Sequence, residues 1–476
     1  MPGSPAANVD ATFRRQPVAH LMVVAGGSVL SATNSMISVT ITPTTVLEIG
    51  GVGAISWTTT LYVVASIVAA AAGGLLRARL GLRGAAVLGP LAFVAGGLVC
   101  AAAPSMAVLL AGRLVQGLGA GLALALSYAC IRILFPEPQW PRLFALISAV
   151  WAIAALGGPL LGAGLIALAG WRLAYLTMAA LGLLLGLTAL ATLPAGVRDD
   201  GARDGFPLAW LSGLGVAIML IAAAGNIGTL ASKLAMVGAG VALAVWLVRI
   251  DRRKAAGVLP SDAFAWSTPV GLGLWVVLAL FAGGMPFSVY GPLIVQVLHG
   301  QPPLVAGYLL AWEALCWSLA ALAIARLDQR YWDTALVAGP ALIAAGLVGL
   351  ALTLPQGDMP LIVAAATVTG TGYGVCWAFL GQRIMTGARA GKGDRAAASI
   401  ATLEMTGIAV GAALAGIMGN ALGVDDDATS AELRAAAGLG HALFLPILLF
   451  AVAAAVRLVR LRNTASPRDG LRPSPG

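Results

Sequence analysis

Charged side chains are scarce in this sequence. Asp, Glu, Lys and Arg supply 10% of its 476 residues, well under half of the roughly 25% usual in soluble domains, which is too little charge for a surface that faces water throughout. Histidine is scarcer: only His20, His299 and His441 occur, in separate segments near the ends of apolar runs, and their spacing describes no zinc or haem site. Cys100, Cys130, Cys316 and Cys376 fall in four different apolar runs with no CxxC pair, which points to small apolar packing. No Gly-x-Ser-x-Gly elbow, phosphate loop or His-Glu-x-x-His is present. Enzymatic chemistry has no residues to rest on, and neither a metal nor a cofactor is expected.

Apolar residues, by contrast, make up 59% of the chain, and the mean hydropathy is +0.93. Runs of about 20 residues, each able to cross a ~30 Å hydrocarbon core as a helix, recur at 18–43, 54–76, 84–102, 107–134, 143–168, 172–193, 208–225, 229–249, 268–290, 303–325, 334–354, 360–382, 396–422 and 440–459. The reading is an all-α polytopic membrane protein with fourteen spans. Arg14 and Arg15 precede a first run too long for a cleaved signal peptide. With that end in the cytoplasm, 24 of the 28 basic residues fall on the cytoplasmic side, and only Arg113, Arg172, Lys233 and Arg434 lie elsewhere. Both termini are therefore expected to be cytoplasmic, in the plasma (inner) membrane. The net charge of +9 is dispersed among loops flanking spans, so orientation accounts for it and nucleic acid is not an expected partner. The opposite face carries a loop with Asp425, Asp426, Asp427 and Glu432 against Arg434, read as a solvated acidic loop.

One of the four exceptions carries the most information. Arg113 opens Arg113-Leu-Val-Gln-Gly-Leu-Gly-Ala-Gly121 inside the fourth run. A guanidinium there costs between ~2.5 and ~17 kcal/mol depending on the reference, so it survives only facing protein or a wet cavity. The 61 glycines include the spacings Gly117-x-x-x-Gly121, Gly158-x-x-x-Gly162 and Gly407-x-x-x-Gly411, which let helices approach closely and slide. Thr369-Gly-Thr-Gly-Tyr-Gly374 lies inside a span, where helix packing explains it better than nucleotide binding.

These residues carry a family resemblance. The Arg113–Gly121 segment resembles the Arg-x-x-Gln-Gly-x-Gly signature of major facilitator superfamily antiporters, and Gly158-Pro159-Leu-Leu-Gly162 resembles their Gly-Pro motif. Trp171-Arg172 is similar to a pair common in the same group. Trp57, Tyr62 and Tyr290-Gly-Pro-Leu-Ile-Val-Gln296, with Gly300, Pro303, Ala306 and Gly307, resemble the fourteen-span drug:proton antiporter branch. The resemblance implies two six-helix bundles at 18–193 and 268–462, two linker helices within 194–267, and tails at 1–17 and 463–476. The bundles would rock about a site near the midplane. In Gly74-Leu-Leu-Arg-Ala-Arg-Leu-Gly-Leu-Arg83, Gly74, Arg79, Gly81 and Arg83 match the family's gating loop, whereas Ala78 replaces its Asp. Asn34 stands where the first helix normally has an acid.

Helical rise puts Asn34 and Arg113 at similar depth, within reach of each other. Asn accepts a hydrogen bond from guanidinium but releases no proton near neutral pH, so other acids must couple protons. Glu313 and Glu404 are the candidates, each roughly 12–15 Å from its span's nearer end. A carboxyl that alternates between apolar and cation-bearing surroundings can take up and release a proton. Arg113, Glu313, Glu404, Asn34 and Gln116 form the expected coupling set. Trp57, Tyr62, Tyr290 and Trp312 are the expected substrate contacts, and Glu48 is read as a loop residue. Gly117, Gly121, Gly158, Pro159 and Gly162 serve helix packing and gating. The function expected is secondary active transport, proton-coupled efflux of small lipophilic or cationic molecules by alternating access. The alternatives are an uncoupled or metabolite-specific facilitator and a non-transporting receptor or scaffold. Substrate, protons and the bilayer are the partners; oligomeric state is not indicated.

Overall fold

The computed structural model describes residues 18–193, 208–226, 229–253, 258–324, 328–388 and 393–465. The tails with Arg14, Arg15, Arg468 and Arg472, and loop residues Arg198, Arg203, Lys254, Arg326, Arg389 and Lys392, lie outside it. Among the described residues there are helices and no strands. They are α1 Val18–Ile49, α2 Ile55–Ala101, α3 Met106–Leu134, α4 Trp140–Ala169, α5 Trp171–Thr192, α6 Leu208–Ala223 and α7 Leu230–Arg253. The second part has α8 Pro269–Gly283, α9 Met285–Val297, α10 Pro303–Ile324, α11 Trp332–Thr353, α12 Met359–Thr386, α13 Gly393–Ala421, α14 Ser430–Ala435 and α15 Leu445–Ala465.

Twelve of the helical stretches among the described residues are long and apolar enough to cross a membrane, where the sequence suggests fourteen runs. Two local features make the difference. The second and third runs are fused in Val52–Ala101, a stretch of 50 residues, which would extend ~75 Å if straight, more than twice the hydrocarbon core. The stretch is folded back at Gly81, whose φ of 74° and ψ of 170° break the helix. As a result Tyr62 and Phe93, far apart in sequence, pack against Gly117 and Gly119 of the same helix α3. The run at 208–225 gives α6, only 16 residues long. Helix α1 runs on through Pro43 to Ile49, six residues past the expected end.

Local chemistry sets several helix starts. Pro269 and Pro360 occupy first-turn positions that need no N–H, after Thr268 and Asp358, which accept from Gly271 N at 3.1 Å and Leu361 N at 3.4 Å. Thr429 and Glu432 form a reciprocal capping box on α14.

The two halves repeat one packing contact. A Cβ on Gly117 or Gly121 of α3 would lie 2.4 or 2.1 Å from the carbonyl oxygens of Tyr62 and Ser66 on α2. A Cβ on Gly370 or Gly374 of α12 would lie 2.2 or 2.3 Å from those of Glu313 and Trp317 on α10. Two glycines one turn apart thus press on two carbonyls one turn apart in each half, as in a parallel internal repeat. The glycine-rich segment 369–374 is a helix-packing surface.

Helix α6 lies along the seam between the halves. Gly215 meets Val64 of α2, whereas Gly225, just beyond the helix, meets Ile417 of α13. Trp210 of α6 donates to the Leu247 carbonyl of α7 at 2.9 Å. The outer neighbour α7 is mostly exposed along its apolar window, consistent with a lipid-facing position.

Candidate functional site

Arg113 is 4% exposed and is held from three helices. Its Nη1 donates to Asn34 Oδ1 at 2.7 Å on α1, to Gln116 Oε1 at 2.7 Å one turn along α3, and to Ser38 Oγ at 3.4 Å. Its Nε donates to the Thr58 carbonyl at 3.2 Å, and the guanidinium carbon stands 4.4 Å from the centre of the Tyr62 ring on α2. Ser38 Oγ in turn donates to Asn34 Oδ1 at 3.2 Å. The charge is therefore solvated by three side-chain oxygens, a carbonyl and a π face, with no carboxylate in ion-pairing reach among the described residues. Asn34 Nδ2 and Gln116 Nε2 are buried without a hydrogen-bond partner among the described residues.

Glu313 and Glu404 lie elsewhere, in the second half. Neither has a hydrogen-bond or ion-pair partner among the described residues, and both are half-buried. Tyr373 on α12 is within electrostatic reach of both, and Tyr128 on α3 is within reach of Glu404. The internal repeat explains why Glu313 lacks a cation: its carbonyl occupies the place that Tyr62 holds in the first half. The residue one turn before Gly370 is Ala366, where the first half has Arg113 one turn before Gly117.

The expected substrate contacts divide. Tyr62 belongs to the arginine cluster. Trp57 packs with Ile221, Ala222 and Ala413 at the seam. Tyr290 is fully buried, its ring set against Gly419. Trp312 is 41% exposed and donates to Thr367 Oγ1 at 2.8 Å. Near them is an aromatic group that sequence reading passed over: Phe281, Trp317, Tyr373 and Trp377, with centroid separations of 5.0 to 6.1 Å. The signal was available, since Glu313 and Trp317, and Tyr373 and Trp377, are each one helical turn apart.

A cavity of about 600 Å³ is lined by Gly73, Gly74, Arg77, Ala125, Tyr128 and Ile133, toward the end of the bundle that carries the 77–83 turn. Arg79 is exposed there and Arg83 half-buried. At the other end the halves meet. A Cβ on Gly307 would lie 2.3 Å from Thr40 Oγ1 and 2.9 Å from Pro159, Tyr308 donates to the Leu156 carbonyl at 3.1 Å, and Gly416 abuts Ser56. Gly158 and Gly162 face Met36 and Thr40 of α1. Asp426 closes this face, accepting from Gly51 N at 2.7 Å and Val52 N at 2.8 Å. The acidic loop is thus a structural contact and not simply a solvated one. Glu48 likewise pairs with Arg172 and accepts from Trp171 Nε1 at 2.8 Å, so it is a helix-end contact between α1 and α5 rather than a loop residue.

Two halves of repeated packing, with a cavity toward one end and contacts between the halves at the other, fit the geometry of alternating access. The sequence profile of the Major Facilitator Superfamily matches residues 23–416. The chain belongs to the major facilitator superfamily. As a member of this superfamily it is an integral membrane transporter and not an enzyme. It is 35% identical over 433 residues, 88% of this chain and 90% of the relative, to a Mycobacterium tuberculosis protein named "Probable multidrug-efflux transporter". It is 24% identical over 302 residues to a Staphylococcus aureus multidrug efflux pump, covering 63% of this chain and 67% of that one. Among solved superfamily folds, a peptide transporter crystallised with sulfate matches with a TM-score of 0.66 at 16% identity, covering 94% of this chain and 96% of that one.

Proposed function

We propose that this superfamily member is a fourteen-span, proton-coupled exporter of small lipophilic or cationic molecules, with both termini in the cytoplasm. Its relatives carry multidrug-efflux names over most of its length, and it is a secondary transporter of multidrug type. Fourteen crossings follow when Val52–Ala101 is counted as two antiparallel spans and the 16-residue α6 as one tilted or thinly embedded span. The distribution of basic residues supports the orientation.

One observation carries proton coupling: Glu313 and Glu404 sit inside spans without a countercharge, while Arg113 is satisfied by neutral groups. A carboxyl in that position is costly when ionised and uncompensated. It therefore holds a proton in the closed surroundings and gives it up when water or a cationic substrate enters. Asn34 cannot do this. The test is transport by the purified chain in proteoliposomes with and without an imposed pH gradient. Dye accumulation that follows the gradient supports coupling; accumulation indifferent to it selects the uncoupled facilitator, which Asn34 and Ala78 favour.

A further inference from the structure

We propose that Arg457 and Trp266 form a seat for the phosphate of an anionic phospholipid headgroup, whose acyl chains run along the exposed face of α15. On the orientation proposed above the lipid belongs to the inner leaflet; the seat itself does not depend on what the protein transports.

The seat is built on residues 258–268, between α7 and α8, and three helices grip this segment. Asp251 of α7 accepts from Val258 N at 3.0 Å and Leu259 N at 2.7 Å, and Arg252 Nε donates to the Ser261 carbonyl at 2.8 Å. Trp275 Nε1 of α8 donates to the Phe264 carbonyl at 3.1 Å, and Arg457 Nε of α15 donates to the Trp266 carbonyl at 3.0 Å. Phe264 has a φ of 62°, a left-handed backbone that a bulky residue seldom adopts and that the surrounding contacts must impose. Trp266 is thereby held at the surface, 44% exposed, with its ring centre 6.2 Å from that of Trp275 and 5.6 Å from that of Phe450.

The same contacts fix a cation in place. The Arg457 guanidinium carbon stands 5.9 Å from the centre of the Trp266 ring, and its Nε is engaged by the carbonyl. Its two Nη groups have no hydrogen-bond or ion-pair partner among the described residues. Arg172, Arg330 and Arg383 each pair with a carboxylate of this chain; the counter-ion of Arg457 comes from outside it. A guanidinium held at Nε presents a planar fork of N–H donors, which matches two oxygens of a phosphodiester.

The surface beside the fork selects a lipid over a free anion. Leu449, Ala453 and Arg457 follow at four-residue steps on α15 and all three are exposed, so one stripe runs from apolar side chains to the guanidinium. Trp266 flanks the polar end, at the level where indoles meet headgroups. A phospholipid has the same order of parts, whereas a soluble phosphate would use the fork alone and leave the stripe uncovered.

The test is native mass spectrometry of the full chain in detergent with equal amounts of phosphatidylglycerol and phosphatidylcholine of matched acyl chains. The wild type is expected to favour phosphatidylglycerol roughly fivefold. Arg457→Gln should remove that preference, and Arg457→Lys, which keeps the charge without the fork, should lose most of it. Arg434→Gln, at the opposite end of the same span, should retain it. No preference in the wild type, or an undiminished preference in either Arg457 variant, overturns the proposal; if Arg457→Gln does not fold, Arg457→Lys alone decides. Full displacement of the lipid by excess glycerol phosphate also overturns it, because the seat would then belong to a soluble anion. None of these readings involves a gradient or a transported dye, so their failure leaves the transport reading standing, and a failure of coupling leaves the seat standing.

Discussion

Arg113 donates to Asn34 at 2.7 Å, so the first-helix position that faces the buried guanidinium holds a neutral amide. Asn34→Leu removes a hydrogen bond to a charged group and is expected to cost about 1.5–3 kcal/mol, measured as a lower unfolding temperature in detergent. Asn34→Asp keeps the geometry, adds an ion pair and should unfold at or above the wild-type temperature. A leucine variant as stable as wild type would mean that Gln116 and Ser38 suffice.

Coupling is tested at the carboxyls of the second half. Glu313→Gln or Glu404→Gln should reduce dye accumulation driven by a pH gradient by roughly 5- to 150-fold, with counterflow at zero gradient affected far less. Full gradient-driven activity in both variants excludes these residues as proton carriers.

Gly81 lies in a backbone region that is almost restricted to glycine. Gly81→Ala should cost about 1–3 kcal/mol and lower the yield of folded protein, because the α2 hairpin turns there. Normal yield and thermal stability would show that the turn relaxes without strain.

Asp426 is bonded to the amides of Gly51 and Val52, so it ties the second half to the first at the face opposite the cavity. Asp426→Ala should raise severalfold the labelling of a cysteine placed at Thr40 by an impermeant thiol reagent, as the closed face opens more often. Unchanged labelling would make the contact a loop restraint without effect on the gate.

Much of the site was legible locally. The depth of Arg113 and Asn34 could be read from helical rise, and the bond between them is one the chain positions allow. The free acids could be found because a carboxyl inside an apolar run stands out. Trp317 and Trp377 were harder to read, since aromatic residues in apolar runs are common and only contact between α8, α10 and α12 distinguishes this group. The stacking of Tyr62 on Arg113 was not legible, because a ring's partner across helices has no signature in its own segment. Asp426 looked like one more loop acid, and its role depends on amides some 375 positions earlier.

The sequence by itself determined that this chain spans a membrane, where its helices run within a few residues, and which polar groups are buried at high cost. Those properties are local, set by the transfer energy of each segment and the periodicity of its side chains. Tertiary structure decided that Val52–Ala101 doubles back at Gly81 and that Arg113 is met by neutral groups. It also decided that Glu313 and Glu404 both come within electrostatic reach of Tyr373 in the other half. Each of these depends on helices distant in sequence packing side by side, and that arrangement follows from the close fit of glycine faces onto carbonyls across the bundle.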